Sequence, residues 1–529
     1  MPLEPPVRVV RELTSRGYNA DREAVTLLAG ADDPADAVER AVDEAPADAL
    51  TLTADHVRGV LADATPDAEP TGAGGPSDSD ADSTPADRHT TSSTGTETTT
   101  DRGAEVTTPP ETKGVERGGE SARDANADLR SVDVAGDITG ESTGTGEYKH
   151  FVATFRDRYD KLSKKLRGRV NHRPTDALDS MPGGSEAAVV GMVNDVRSTA
   201  SGHWLVELED TNGVFPALVM KDRDIAAHVD ELLMDEVIAV EGTLSDDGGI
   251  IFADDLHFPD IPRTHDPSTA DRHVQAALVS DVHVGSQEFA GEAWDAFADW
   301  LHTPEAETVE YLLVAGDMVE GVGVYPDQDE ELDIVDLYEQ YEAFSERLKD
   351  VPGDMEIVMI PGNHDAVRLA EPQPAFDEEL RDIMSAHDAQ FTGNPSTVTI
   401  EGVSVLMYHG VSIDEVIAEY PGDEVSYDHP HRAMEHLLRK RHVAPQFGGR
   451  TRLAPEEKDY LVVDEVPDVF HTGHVHKLGV GGYHNVRLVN SGCWQHQTEF
   501  QKSVNIDPDV ATAPILDLDT LDVTVRKFV

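Results

Sequence analysis

From about residue 272 onward, short apolar runs alternate with stretches of helical spacing, and five of the runs end in loops that carry Asp, His or Asn. Ala277-Leu278-Val279-Ser280 leads into Asp281-Val282-His283, and Tyr311-Leu312-Leu313-Val314-Ala315 leads into Gly316-Asp317. Ile357-Val358-Met359-Ile360 leads into Pro361-Gly362-Asn363-His364-Asp365. Val403-Ser404-Val405-Leu406-Met407 precedes Tyr408-His409-Gly410, and Val469-Phe470-His471 precedes Gly473-His474-Val475-His476. Apolar runs of this length bounded by turn residues predict buried strands. Loops at strand ends gather on one edge of a sheet, where sites of α/β proteins form.

Upstream the pattern changes character several times. Residues 1–62 predict a small helical domain: Val7, Val10 and Leu13 open a helix that stops near Gly17, Asp33-Pro34 is a cap followed by proline at the first helical position, and Thr53 caps a last helix. Residues 63–146 are Thr, Ser, Gly, Asp, Glu and Pro with no aromatic residue between Tyr18 and Tyr148, the composition of a disordered acidic linker. Residues 147–182 predict a basic amphipathic connector helix. Phe151, Phe155, Tyr159, Leu162 and Leu166 keep helical spacing, and Arg156, Arg158, Lys161, Lys164, Lys165, Arg167 and Arg169 are either a nucleic-acid or partner contact or a solvated face.

Residues 183–264 carry five short strands with Gly and Asp turns between them, near 188–193, 204–208, 213–219, 237–242 and 250–252. That spacing predicts a small β-barrel of the oligonucleotide-binding type. Trp204 and Phe215 are either base-stacking platforms or core, so the barrel binds DNA or docks protein. Beyond the last His loop, Ile515-Leu516-Asp517-Leu518 and Leu521-Asp522-Val523-Thr524-Val525 alternate like strands that close the sheet or dock a partner.

Charge complicates any nucleic-acid role. With 42 Lys and Arg against 103 Asp and Glu the net charge is −61, whereas phosphate binding normally needs a basic footprint. The acid excess runs through every segment and the basic residues are mostly Arg, which resembles the proteins of halophilic archaea; near 1 M salt the screening length falls to roughly 3 Å, so self-repulsion is muted. A single cysteine, Cys493, excludes an intramolecular disulfide. No apolar run nears the ~20 residues that span a bilayer and MPLEPPVRVV has no signal-peptide core, so a cytoplasmic protein without membrane contact is expected.

Each of the five loops alone is a weak signal, since Asp-x-His and Gly-Asp are common in surface turns. Five in succession, each after an apolar run, point to one site holding two divalent ions. Such pairs need a bridging carboxylate and mixed N/O donors on each side, and they activate water for in-line displacement at phosphorus. Asp317, preceded by a glycine that allows close backbone approach, is the candidate bridge. Asp281, His283 and His476 complete one shell, and Asn363, His409 and His474 the other. Imidazole and carboxylate donors suit Mn²⁺, with Fe²⁺ and Zn²⁺ as alternatives, better than Mg²⁺. His364, beside a ligand and not needed as one, is the candidate catalytic group that stabilises the phosphorane or protonates the leaving oxygen, with Asp365 orienting its ring.

This set resembles the calcineurin-like metallophosphoesterases over about 275–495. More specific stretches, Gly316-Asp317-Met318-Val319-Glu320-Gly321-Val322-Gly323-Val324-Tyr325-Pro326, Leu437-Leu438-Arg439-Lys440-Arg441-His442-Val443-Ala444-Pro445, Leu453-Ala454-Pro455-Glu456 and Asn490-Ser491-Gly492-Cys493-Trp494-Gln495, resemble the small subunits of archaeal family D DNA polymerases. The resemblance implies an α+β multidomain chain whose residues 265–529 form a calcineurin-like αββα sandwich. It also implies a 3′-to-5′ exonuclease that proofreads for a replicative polymerase. The partners implied are a large catalytic subunit, in a heterodimer, and the primer 3′ end of DNA, with a sliding clamp as a further candidate. Arg368, Arg439, Arg441 and Arg450, with Lys440 and Arg452 near them, are the candidates for a DNA phosphate track; their alternative is salt bridging on an acidic surface. Two other readings stay open: a catalytically silent scaffold subunit, and a free-standing phosphodiesterase.

The salt-adapted reading predicts unfolding as salt falls below ~1 M, because unscreened repulsion then grows. Circular dichroism across a salt series measures it, and a salt-independent signal would refute the adaptation.

Overall fold

A computed structural model describes residues 126–528 apart from 145, 179, 326, 327, 504 and 505, together with short stretches of the first 125 residues. The chain divides into two units, 1–96 and 97–529. In the first, helix Pro34–Asp43 starts on the proline expected at its first position and buries Ala37, Val38 and Ala41 against Ala24, Leu28 and Val57. Asn19–Ala20 pairs in parallel with Thr51–Leu52, so this unit is mixed and not purely helical. The helix expected through Val7, Val10 and Leu13 lies outside the described residues.

The second unit contains a closed five-stranded barrel and two larger sheets. The barrel runs Glu186–Ser198, Trp204–Asp210, Gly213–Val219, Ile251–His257 and Val237–Leu244 in spatial order. Val189, Val206, Leu208, Phe215, Ile238 and Val240 fill it, and Trp204 packs against the same core, so both aromatic residues are structural.

Helix Tyr148–Arg167 lays Tyr159, Leu162 and Leu166 on Ala188, Val190, Val237 and Ala239 of the barrel. Part of its basic face is engaged within the fold, while Arg156 and Lys164 are exposed. Arg158 is fully buried and bonds Asp459 at 2.6 Å and the carbonyl oxygens of Asp235 and Pro445. Lys161 donates to the Asp459 carbonyl, and Lys165 to Asp464. The helix therefore ties the barrel to the C-terminal part of the chain. Lys440, buried against Glu236 at 3.0 Å, does the same from the other side.

The first large sheet is ordered Gln390–Phe391, Glu356–Ile360, Val309–Ala315, Gln275–Val279, Thr512–Asp517, Val523–Lys527 and Glu105–Thr107. Its strands from Gln275–Val279 through Gln390–Phe391 are parallel. Val309–Ala315 is buried at all seven positions, as a parallel strand covered on both faces requires. The second sheet is ordered Leu478–Tyr483, Val486–Ser491, Val469–Thr472, Val403–Met407, Ser396–Ile400 and Val132–Ala135. The sheets share one core, with Leu278, Leu313 and Ile360 from the first against Val398, Val405 and Val469 from the second. Helices Gly291–Leu301 and Leu337–Leu348 cover the outer face of the first sheet, and Val411–Glu419 and Pro430–Lys440 that of the second. The two C-terminal alternating runs do close the first sheet.

The linker expected over 63–146 is corrected at its end. Val132–Ala135 pairs with Ser396–Ile400, and Glu105–Thr107 pairs with Val523–Lys527. Arg123 donates to the Val309, Leu301 and Ala306 carbonyls, and Arg130 to that of Asp354. An added edge strand gains its hydrogen bonds from the sheet already there, so it needs few apolar side chains of its own. Composition counts apolar residues and misses such a strand.

Arg158→Ala leaves the buried Asp459 carboxylate with His442 but without its guanidinium partner, a change that costs about 3–5 kcal/mol. Denaturant titration at constant high salt checks it, and a loss below ~1 kcal/mol would show the clamp is dispensable.

Candidate active site

All five His- and Asp-bearing loops leave the C-terminal ends of parallel strands. Asp281 and His283 follow Gln275–Val279, Asp317 follows Val309–Ala315, and Asn363 and His364 follow Glu356–Ile360, all in the first sheet. His409 follows Val403–Met407 and His474 and His476 follow Val469–Thr472 in the second. Because the sheets pack face to face, these ends meet. Asp281, His283, Asp317, His474 and His476 have φ of 52°, 56°, 54°, 71° and 55°, left-handed values that cost non-glycine residues on the order of 1–3 kcal/mol each. At Gly316, a Cβ would lie 2.6 Å from His409 Nδ1, so only glycine lets this ring approach the first sheet.

The donor atoms converge in overlapping groups. Asp281, His283 and His476 form one, Asp317, His409 and His474 a second, and His283, Asp317 and His364 a third, with ligand atoms within 4.8 Å of one another in each. His283 Nε2 faces His476 Nε2 at 3.0 Å. His409 Nε2 lies 3.2 Å from Asp317 Oδ2 and 3.0 Å from Asn363 Oδ1. His409 Nδ1 donates to the Ala315 carbonyl at 2.8 Å, which sets the tautomer and leaves Nε2 for coordination. His474 Nε2 is held by Asp414 at 3.3 Å, and His476 Nδ1 meets the Gln501 amide at 2.8 Å. Asp317 and His283 each belong to two of the three groups, and of the two only the carboxylate has a second oxygen to share.

Electrostatics support the same assignment. Burial penalises charge on Asp317, but the imidazoles of His409, His364 and His283 override it and hold the carboxyl well below its usual range. Burial likewise opposes charge on His409, but Asp317 and Asp281 raise it to about 10. Carboxylates and imidazoles that need each other's charge can exchange the imidazole protons for cations, as a metal donor set does. The residues present thus fit a pair of divalent ions. His283, Asp317, His364, His474 and His476 line a cavity of about 150 Å³ with no Lys or Arg among its lining residues, so the imidazoles are the cationic groups its lining can offer a phosphate.

His364 is oriented differently from the expectation. Its Nδ1 donates to the Glu320 carbonyl at 2.7 Å, leaving Nε2 for chemistry. Asp365 does not orient the ring: its Oδ2 accepts from the backbone N–H of Asp317 and Gly362, both at 2.8 Å, and its Oδ1 from Tyr341 at 3.1 Å. The residue turns inward beneath the loop, where burial and then Asp317 push its carboxyl up to about 7. Asp365 shapes the loop rather than the imidazole.

The part expected of Asp365 falls to Glu320, to which sequence reasoning assigned no role. Its carboxylate is 1% exposed, approaches His283 Nδ1 to 2.9 Å and accepts from Gln495 at 2.7 Å, while its carbonyl holds His364. Burial opposes its charge, but His283 and His364 lower it to about 2. Its position three residues after Asp317, inside a glycine-bounded stretch, was the available signal.

Comparison with known proteins shows the family. The family model for the B subunit of DNA polymerases alpha and epsilon matches residues 276–478, which enclose every candidate ligand and His364. The DNA polymerase II small subunit of Halobacterium salinarum is 73% identical over all of both chains. That of Archaeoglobus fulgidus is 42% identical over 77% of this chain and 81% of its own, and that of Pyrococcus furiosus 40% over 70% and 62%. The chain belongs to the DNA polymerase II small subunits. Halobacterium as a near relative accords with the salt-adapted charge.

For a polymerase subunit of this family the expected phosphate track needs correction. Arg368 bonds the Ala370 and Pro372 carbonyls and pairs with Glu456 at 2.7 Å. Arg439 pairs with Glu231 at 2.6 Å and lies 3.9 Å over the Phe258 ring. Arg441 is buried and donates to the Val463 and Asp464 carbonyls. Of the four, Arg450 alone is exposed. In a chain so rich in acid, guanidinium groups find carboxylates and carbonyls within the fold before they find DNA. Among the described residues no helix is long and apolar enough to cross a membrane.

Glu320→Ala frees the His283 ring, and loss of such an outer partner typically weakens metal binding 10–100-fold. Calorimetric titration with Mn²⁺ measures it. Glu320→Gln, which keeps an acceptor for His283, loses less; equal affinity in all three proteins would remove Glu320 from the site.

Proposed function

We propose that this chain is the proofreading subunit of a heterodimeric replicative DNA polymerase, a calcineurin-like phosphoesterase that degrades single-stranded or mismatched DNA 3′ to 5′. The large subunit of the heterodimer carries synthesis, and the barrel, of oligonucleotide-binding type, is a separate module. The observation that carries the reading is the complete donor set around Asp317, with His364 beside it. Asp281, His283 and His476 would hold one divalent ion, Asn363, His409 and His474 the other, with Asp317 between them. Mn²⁺ suits the donors best. When bound, such a pair polarises the phosphoryl group and activates water for in-line displacement.

The chain's own residues do the rest. Asp365 and Tyr341 brace the loop so that Asn363 and His364 stay in register with Asp317. The Glu320 carbonyl holds His364 Nδ1–H, which directs Nε2 into the site; carrying a second ring proton, Nε2 donates it to a phosphoryl oxygen or to the leaving 3′ oxygen. With no Lys or Arg in the cavity lining, charge neutralisation falls to the ions and the imidazoles.

The test is Mn²⁺-dependent release of nucleotides from a 3′-mismatched primer, by the full-length chain alone and with its large subunit. His364→Ala should lose on the order of 10²–10³ in rate while metal affinity is retained. Equal rates would sink the role of His364, and inactivity of both proteins in both states would return the scaffold reading.

A further inference from the structure

At the mouth of the cavity two aromatic rings stand together. Tyr325 and Phe500 are stacked with centroids 5.9 Å apart and planes at 27°. Tyr325 is held from both sides: its single hydroxyl proton lies between the Glu320 and Glu331 carboxylates, each oxygen 3.1 Å away, and its ring lies 6.3 Å from that of His364. Phe500 sits in the short helix Glu499–Ser503, and the next residue, Gln501, bonds His476. Both rings are thus tied, through Glu320 and Gln501, to the side chains that would hold the ions. Phe500 is nonetheless 54% exposed, a large apolar ring facing solvent at the rim of a polar site.

Size decides what this ring can meet. A cavity of about 150 Å³ is well below the roughly 300 Å³ at which small-molecule pockets begin, so it can take a phosphoryl group and ions but not a whole nucleotide. The base of a nucleotide whose phosphate is in the cavity must lie at the rim. We propose that Phe500, backed by Tyr325, is the platform on which the terminal base of an unpaired DNA end stacks, and that this contact selects single-stranded over paired ends. The inference deepens the nuclease reading and rests on it. Stacking on an aromatic face is indifferent to base identity, because every base has such a face. A paired terminal base is engaged with its complement and neighbour and must pay unpairing to reach Phe500; a mismatched one has little to lose. The preference for frayed ends then needs no cationic duplex-binding surface, in keeping with Arg368, Arg439 and Arg441 being engaged inside the fold.

The experiment uses the full-length chain, alone and with its large subunit, Mn²⁺, and a single-stranded oligonucleotide with 2-aminopurine at its 3′ end, followed by stopped-flow fluorescence. Stacking gives a fall in emission and release of the free nucleotide a later rise. Wild type should show both; Phe500→Ala should lose the fall and bind about 5- to 100-fold more weakly, and Phe500→Trp should restore both. An oligonucleotide with an abasic 3′ terminus should weaken wild-type binding by the same factor and leave Phe500→Ala unaffected. A fall that persists in Phe500→Ala, or a wild type indifferent to the terminal base, would overturn the proposal. A missing rise with an intact fall would refute the nuclease reading and uphold the platform, so the two failures are distinct.

Discussion

A single buried carboxylate organises the two packed sheets of the C-terminal half. Asp317 is 1% exposed, lies at the line where two sheets meet, and is charged. A lone ion so placed would carry a penalty of several kcal/mol. The penalty is offset only because imidazoles from both sheets close on it and because its Oδ1 accepts the His364 amide at 2.8 Å. The His409 imidazole reaches it only if Val309–Ala315 and Val403–Met407, strands of different sheets, end level with one another. Strand register, sharp left-handed turns and the glycine at 316 all satisfy that one condition.

The same economy governs the basic residues. Arg158, Arg368, Arg439, Lys440 and Arg441 lie along the seams of barrel, connector helix and sandwich, paired with carboxylates or capping carbonyl oxygens. In a chain of net charge −61 these contacts are also where screening matters least, since buried pairs are shielded from salt. The surface can then remain acidic for solubility at high salt, while cohesion between modules comes from cations held inside.

Much of this was legible in the residues. Barrel strands, strand-end loops and the choice of donors all follow from local pattern, because alternation and turn chemistry act within a few residues. The residues around His364 were less legible. Asp365 is adjacent in sequence and chemically suited to orient an imidazole, yet its carboxylate points beneath the loop to Tyr341, a residue on a distant helix. Glu320, from another loop, holds the ring instead, and through a carbonyl that has no sequence signature. Val132–Ala135 was hidden for a related reason, since an edge strand borrows its order from the sheet it joins.

By itself the sequence determined which residues could bind metal, in what order they come along the chain, and that each follows a strand, because these depend on composition and short-range periodicity. Tertiary structure alone decided which of those side chains come together, that Glu320 and not Asp365 holds the His364 ring, and that Arg158, Arg368, Arg439 and Arg441 are engaged within the fold. Those outcomes depend on the direction of side chains brought together from far apart in the chain, where packing and the cost of an unpaired buried charge select one arrangement among many that local pattern allows.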